Sequence, residues 1–189
     1  MTRPYTMTRR AEKQAQTRQR IVEAAVDLHG TVGPAHTSIS MIAERAGVQR
    51  HTFYAHFPEE RDLFLACSEL TFERDPMPDA EPWRAINDPE QRLRTALSAL
   101  YDWYARNESL LACVLRDAEF HALTRDALEL RAGPTMAAYR ELLGTALTET
   151  QRAMLALALS FHTWRTLVRD GGLKPDAAAA AMVRAVGGG

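Results

Sequence analysis

Residues 38–57 read Ser38-Ile39-Ser40-Met41-Ile42-Ala43-Glu44-Arg45-Ala46-Gly47-Val48-Gln49-Arg50-His51-Thr52-Phe53-Tyr54-Ala55-His56-Phe57. Serine caps helix N-termini through its side-chain oxygen, and after Ser38 the apolar residues Ile39, Ile42 and Ala43 recur at helical spacing as far as Arg45. Ala46-Gly47-Val48 then makes a tight turn, because Gly47 accepts the left-handed conformation that closes a helix C-terminus. A second short helix covers about Gln49 to His56 and stops at Phe57-Pro58. Two short helices joined through a glycine-containing turn have the form of a helix-turn-helix. The spacing turns Ile42, Ala43, Val48, Phe53 and Phe57 inward and Gln49, Arg50, His51, Thr52, Tyr54 and His56 outward. Such a polar second helix suits the major groove of DNA, where base edges present distinguishable donors and acceptors.

Working outward, a helix from about Gln16 to Leu28 precedes the motif, with Ile21, Ala24, Ala25 and Leu28 on one face and Gly30 to Pro34 ending it. After Pro58, the acids Glu59, Glu60 and Asp62 crowd the first turn of a helix running to about Asp75, where they complement the helix dipole. The prolines 76, 78, 82 and 89 mark a loop that contains Trp83. Long helical patterns then occupy about Pro89 to Arg106, Ser109 to Phe120 and Leu123 to Leu147, with Pro134 expected to interrupt or kink the last. A final pair spans about Glu149 to Asp170 and Asp176 to Val186, separated by Gly171-Gly172 and Pro175. No sustained alternation of the strand kind is present, so the chain reads as all-α. The expected organisation is an N-terminal three-helix DNA-binding domain over residues 1–57, with a basic arm, joined to a helical ligand-sensing and dimerisation domain over 58–189.

The 189 residues carry a net charge of −1 that conceals a segregation. Residues 1–56 hold eight Lys or Arg against four acids, a surplus of four, whereas the remainder holds 15 against 20, a deficit of five. A basic head with four histidines (His29, His36, His51, His56) is the footprint of a module that binds a polyanion. The basic residues Arg3 to Arg20 read either as a disordered tail or as an arm entering the minor groove. No uninterrupted apolar run approaches about 18 residues, and the N-terminus lacks the apolar middle of a secretory signal, so a cytoplasmic location is expected and no membrane partner. Cys67 and Cys113 lack metal-ligand spacing and read as reduced, buried small hydrophobes. No metal or cofactor is expected. Nor is there a nucleophile with its base, a carboxylate pair or a phosphate-cradling glycine loop, so the reading is not an enzyme; Asp117 and Glu119, two apart on a helix, face different ways, and Arg116 to Glu119 reads as a solvated face.

With these residues in view, Ser38 to Phe57 resembles the DNA-binding domain of the TetR family of transcriptional repressors: a Ser- or Thr-led helix, Ala46-Gly47-Val48, and a short helix ending in the aromatic pair Phe53-Tyr54, followed by Phe57 and a charged helix. The resemblance covers about residues 17–70. It implies that Ser38 and Tyr54 contact phosphates, that His56 does so or packs beside them, and that Arg50, His51 and Thr52 face bases or backbone, with Gln49 nearby. Family members commonly carry Ser or Thr in place of Gln49, Gly in place of His51 and Lys in place of Glu60; the last departure removes one phosphate contact, for which Arg61 is the substitute within reach.

The acidic part gathers aromatic residues of the kind that line small-molecule pockets between helices, with polar groups for orientation. The expected pocket residues are Trp103, Tyr104, Phe120, Tyr139 and Trp164, with His121 and His162 as polar handles; filling the core is the alternative for each. The final helix pair is apolar nearly all round in its first member and alanine-rich in its second, so Met154, Leu157, Ala158, Phe161, Met182 and Val183 are the expected homodimer interface. The sequence therefore reads as a repressor released from a near-palindromic operator by a small apolar or amphipathic ligand. The alternatives are a helical interaction protein without DNA binding and a constitutive regulator without ligand.

Overall fold

The computed structural model describes residues 3–188, and the side chains of 9–188. Among the described residues there are α-helices and short helical turns but no strand. In chain order the helices are α1 (Arg3–His29), α2 (Ile39–Ala46), α3 (Arg50–His56), α4 (Glu60–Arg74), α5 (Glu81–Arg84), α6 (Pro89–Arg106), α7 (Glu108–Ala118), α8 (Ala122–Leu143), α9 (Glu149–Ala158), α10 (Phe161–Arg165) and α11 (Pro175–Gly187). A single 3-10 turn, Pro34–His36, separates α1 from α2, and a π-turn, Thr166–Asp170, follows α10. No described helix is long and apolar enough to cross a membrane. The chain divides into two compact units, one comprising residues 1–74 with 112–128, the other 75–111 with 129–189.

The first unit is built on α1. The expected stripe Ile21, Ala24, Ala25 and Leu28, joined by Val22, is buried against Ile42 and Ala46 of α2, Phe53 and Phe57, and Leu63, Ala66 and Cys67 of α4. Losing a buried Phe such as Phe53 typically costs about 3–5 kcal/mol. Polar ties fix the layer edges: Arg45 pairs with Asp27 at 3.1 Å and Arg74 with Glu23 at 2.8 Å, both on α1. Burial pushes the Cys67 thiol up to about 12, leaving it a space-filling group. Cys113, expected buried, is half-exposed. The first helix also starts earlier than its apolar stripe: the described backbone is already helical at Arg3, so the polar Arg9–Gln16 segment continues α1 with its residues exposed. Helix α4 shares the α1 core and so belongs to this unit, beyond Phe57.

In the second unit α6 supplies the central face, Leu93, Ala96, Leu97, Leu100, Tyr101, Trp103 and Tyr104, all buried. Helix α11 packs on α6 and α9 through Ala178, Ala179, Met182, Val183 and Val186. The helix expected from Glu149 to Asp170 is broken at Leu159–Ser160. Where the chain leaves the helix, the hydroxyl of Tyr101 donates to the Ala158 carbonyl at 3.0 Å and that of Tyr104 to the Leu159 carbonyl at 2.6 Å. Two tyrosines thus satisfy backbone acceptors that a continuous helix would have used itself. Pro134 lies inside α8 without ending it, and Trp83, expected in a loop, is buried in the short helix α5, its ring 4.9 Å from that of Tyr139.

Candidate DNA-binding surface

The Ser38 hydroxyl accepts a hydrogen bond from the Met41 N–H at 3.3 Å and so caps α2. Gly47 closes that helix in the left-handed region at φ 65°, ψ 41°, and the Val48 N–H bonds back to the Ala43 carbonyl at 2.9 Å. A Cβ at Gly47 would meet nothing within 4 Å, so the glycine is there for its dihedral and not for space. Helix α3 is anchored by the buried rings of Phe53 and Phe57, 5.9 Å apart, with the Arg18 guanidinium 4.7 Å over Phe57. With that face inward, Gln49, Arg50, His51 and Tyr54 are exposed, and Thr52 and His56 half-buried. Tyr54 sets its ring edge-on to Phe53 at 5.6 Å while remaining 45% exposed, which holds the phenol at the surface. All seven DNA-contact candidates therefore lie on α3 or at the caps of α2 and α3. Glu60 is exposed in the first turn of α4, next to the exposed Arg61.

The segment between α1 and α2 is held by Arg116 and Asp117, residues expected on a solvated face. Asp117, expected on a solvated face, is fully buried: its carboxylate accepts from the Ala35 N–H at 2.8 Å and from Arg116 Nε at 2.7 Å, with His36 Nδ1 at 3.8 Å. Arg116 in turn donates to the Val32 carbonyl at 3.0 Å. Gly33, at φ 100°, packs so closely that a Cβ there would fall 2.4 Å from Asp117 Oδ2 and 2.2 Å from Arg116 Nη2. Desolvation pushes the Asp117 carboxyl up; the hydrogen bonds from Arg116 and Ala35, with the positive charge of Arg116 and His36, outweigh it and hold the pKa below the ordinary carboxylate value. Beside this cluster His29 is buried, stacked 5.4 Å from Phe64, which in turn lies 5.4 Å from His121. Burial lowers the His29 pKa to about 4, despite the opposing pull of the Asp117 charge. The signal that could have exposed Asp117 was its place four residues after Cys113, on the same helix face.

The expected pocket residues are not all brought together. Trp103, Tyr104, Tyr139 and Trp164 are buried in the second unit, where the ring of Tyr104 lies 5.7 Å from Trp103 and 5.9 Å from Trp164. Phe120 and His121 belong to the first unit; Phe120 is 63% exposed, which removes it as a buried pocket wall, and His121 bonds Thr124 at 2.8 Å. His162 is exposed. Of the described buried polar side-chain atoms, Trp164 Nε1 lacks a hydrogen-bond partner. The expected interface residues also separate: Ala158, Phe161, Met182 and Val183 are buried within this one chain, while Leu157 is 51% exposed and Met154 half-exposed. An apolar helix must be covered, and here α11 of the same chain packs on α9 while α10 also touches α6.

A polar, solvent-facing α3 seated by a capped α2 defines a helix-turn-helix unit. Residues 21–67 match the model of the family described as bacterial regulatory proteins, tetR family. The chain is 41% identical over 66 residues to the HTH-type transcriptional regulator AcrR of Shigella flexneri, covering 34% of this chain and 31% of that protein. It is 26% identical over 124 residues to the HTH-type transcriptional repressor NicS of Pseudomonas putida, covering 65% of this chain and 58% of that one. The chain thus spans less than two thirds of the length of either relative. The crystal structure of a TetR-like transcriptional regulator from Rhodococcus superposes with a TM-score of 0.63 over 90% of this chain and 93% of that one, at 22% identity, a likeness of fold. Residues 21–67 are thus similar to the DNA-binding domain of the tetR family.

Proposed function

We propose that this chain is a homodimeric repressor that binds a near-palindromic operator through α3 and is released when a small apolar or amphipathic molecule binds its second unit. The observation that carries the reading is the surface of α3, where Arg50, His51, Thr52 and Tyr54 face outward over a core-anchored backbone. Ser38, Tyr54 and His56 hold phosphates and set the register; Arg50, His51 and Thr52, with Gln49 at the helix start, reach base edges. DNA contact is confined to residues 1–57, with α4 and residues 112–128 as the frame. Similarity to a repressor, NicS, favours repression as the sign. The unpartnered indole N–H of Trp164, among the rings of Tyr104 and Phe161, supplies a donor for a ligand acceptor in the second unit. Dimerisation uses the outer faces of α9 and α11, where Leu157 is the large exposed apolar group.

The test is a mobility shift with the DNA upstream of the chain's own gene, repeated between 50 and 200 mM salt. Neutralising Z phosphates gives a slope of log K against log salt near −0.9Z, with Z on the order of six or more for a dimer. Binding indifferent to salt, or absent at low salt on any DNA, refutes the assignment.

A further inference from the structure

A cavity of about 750 Å³ lies in the second unit, where α6 begins, α8 runs into α9 and α11 ends. That volume is within the ~300–1,000 Å³ range of small-molecule sites. Its floor is aliphatic, formed by Leu93, Leu143, Leu147, Val183 and Val186, with no aromatic ring in the lining. This makes it chemically unlike the Tyr104–Trp164 cluster: it suits a flexible hydrocarbon chain and offers no stacking surface to a planar ring.

The rim adds a charge preference. Glu90 is engaged by Arg94 at 2.9 Å, and the Nε and Nη2 of Arg92 are spent on the Ile86 carbonyl at 2.9 and 2.7 Å. Arg184 also lines the cavity, is exposed, and joins no ion pair among the described residues. Arg92 keeps its charge while its Nε and Nη2 point at Ile86, which leaves the Arg184 guanidinium as the rim cation whose donors can turn to an incoming anion. The wall between α8 and α9 is held in an unusual shape: Ala146 sits in the left-handed region at φ 64°, which a residue with a Cβ rarely adopts. Gly144 anchors that turn, since a Cβ there would fall 2.5 Å from the Arg140 carbonyl oxygen.

We infer that this cavity is a binding site for an amphipathic carboxylate, its aliphatic chain on the Leu93–Val186 floor and its carboxylate on Arg184. The site is separate from the aromatic residues of the second unit and does not require that the chain bind DNA.

The experiment is a fluorescence titration of the full chain with 11-(dansylamino)undecanoate, followed by displacement with decanoate, 1-decanol and benzoate. Decanoate displaces the probe roughly tenfold more tightly than decanol, because the alcohol keeps the chain and loses the charge-assisted bond; benzoate displaces it weakly. Arg184→Glu abolishes the preference for decanoate over decanol, and Thr145→Trp, placed in the wall, weakens both, with melting curves showing that each variant remains folded. Should Thr145→Trp fail to fold, the Arg184→Glu comparison decides alone. Equal displacement by decanoate and decanol overturns the assignment, as does probe binding untouched by Arg184→Glu. So does probe binding that disappears as the chain is concentrated into dimers, since a second copy would then occupy this face.

Discussion

Replacing Asp117 perturbs a carboxylate that is wholly buried yet lies in the frame of a DNA-binding unit, and the structure fixes the size of the effect. In Asp117→Ala the Ala35 N–H loses a charged acceptor 2.8 Å away and stays behind in a part-buried position. A hydrogen bond to a charged group contributes about 1.5–3 kcal/mol, and leaving its donor unsatisfied removes that contribution in full. Arg116 is half-exposed and can return to water, so its pairing adds little. The expected loss is about 2–3 kcal/mol, which in a chain of this size lowers Tm by roughly 5–10 °C. Asp117→Asn keeps an oxygen for Ala35 and loses only the charge, so it falls between wild type and alanine. Because Ala35 lies three residues before the cap Ser38, both variants also weaken operator binding while leaving its salt slope unchanged, since no phosphate contact is removed. Calorimetry and anisotropy titrations measure the two effects. An alanine variant that melts with wild type, or an asparagine variant worse than alanine, refutes the reasoning.

Three further outcomes are expected. The folded pKa of His29, near 4, lies below its unfolded value of about 6.5, so the unfolded chain takes up a proton that the folded chain refuses as pH falls from 6.5 to 4. Stability is therefore full above pH 6.5 and declines by at most about 1.4 kcal/mol per pH unit below it, to a total of about 3 kcal/mol; urea melts across that range should show a flatter profile for His29→Gln. Tyr54→Phe should weaken binding about equally on all DNA sequences, whereas Arg50→Ala should also relax preference at particular bases; an unchanged site logo from selection with the Arg50 variant removes it as a base reader. Leu157→Glu places a charge on the exposed face of α9 and should yield folded monomers with reduced operator affinity; sedimentation showing an intact dimer moves the interface elsewhere.

The helix-turn-helix was legible because each of its decisions is local. Ser38 caps through its own side chain, Gly47 turns through its own dihedral, and Phe53 and Phe57 anchor by helical spacing alone. What escaped was decided by distant partners. The break at Ser160 carries no proline or glycine and is stabilised by hydroxyls from Tyr101 and Tyr104, more than 50 positions away in the chain. Asp117 reads as a solvated acid because charge usually means exposure, and its acceptor role depends on a loop 82 residues earlier. Phe120 failed in the opposite direction, an aromatic residue left outside. The apolar circumference of the Met154–Phe161 segment correctly required cover on several sides, but periodicity cannot say whether the cover is α11 of the same chain or a second copy.

The buried acid also constrains how a signal can reach α3. The 30–37 segment is tied to residues 112–118 by Ala35 on Asp117, Arg116 on Val32 and the close seat of Gly33, and none of these tolerates a gradual shift: the glycine leaves no slack and the carboxylate has no second donor in the backbone of that loop. A displacement of residues 112–118 must either carry the loop and the Ser38 cap with it or break the Ala35 bond. Those are two discrete arrangements, which is what coupling between sites needs. Typical couplings of about 1–3 kcal/mol, a factor of 5–150 in affinity, are close to the worth of that one charged hydrogen bond. Ligand and operator should therefore antagonise one another by the same factor, measured from either side, and in Asp117→Ala that factor should shrink toward one even though operator and ligand each still bind. An alanine variant whose ligand response keeps its full wild-type magnitude would show that the signal reaches α3 by another route, with α4, packed along α1 through Cys67 and Arg74, as the remaining element of the unit able to carry it.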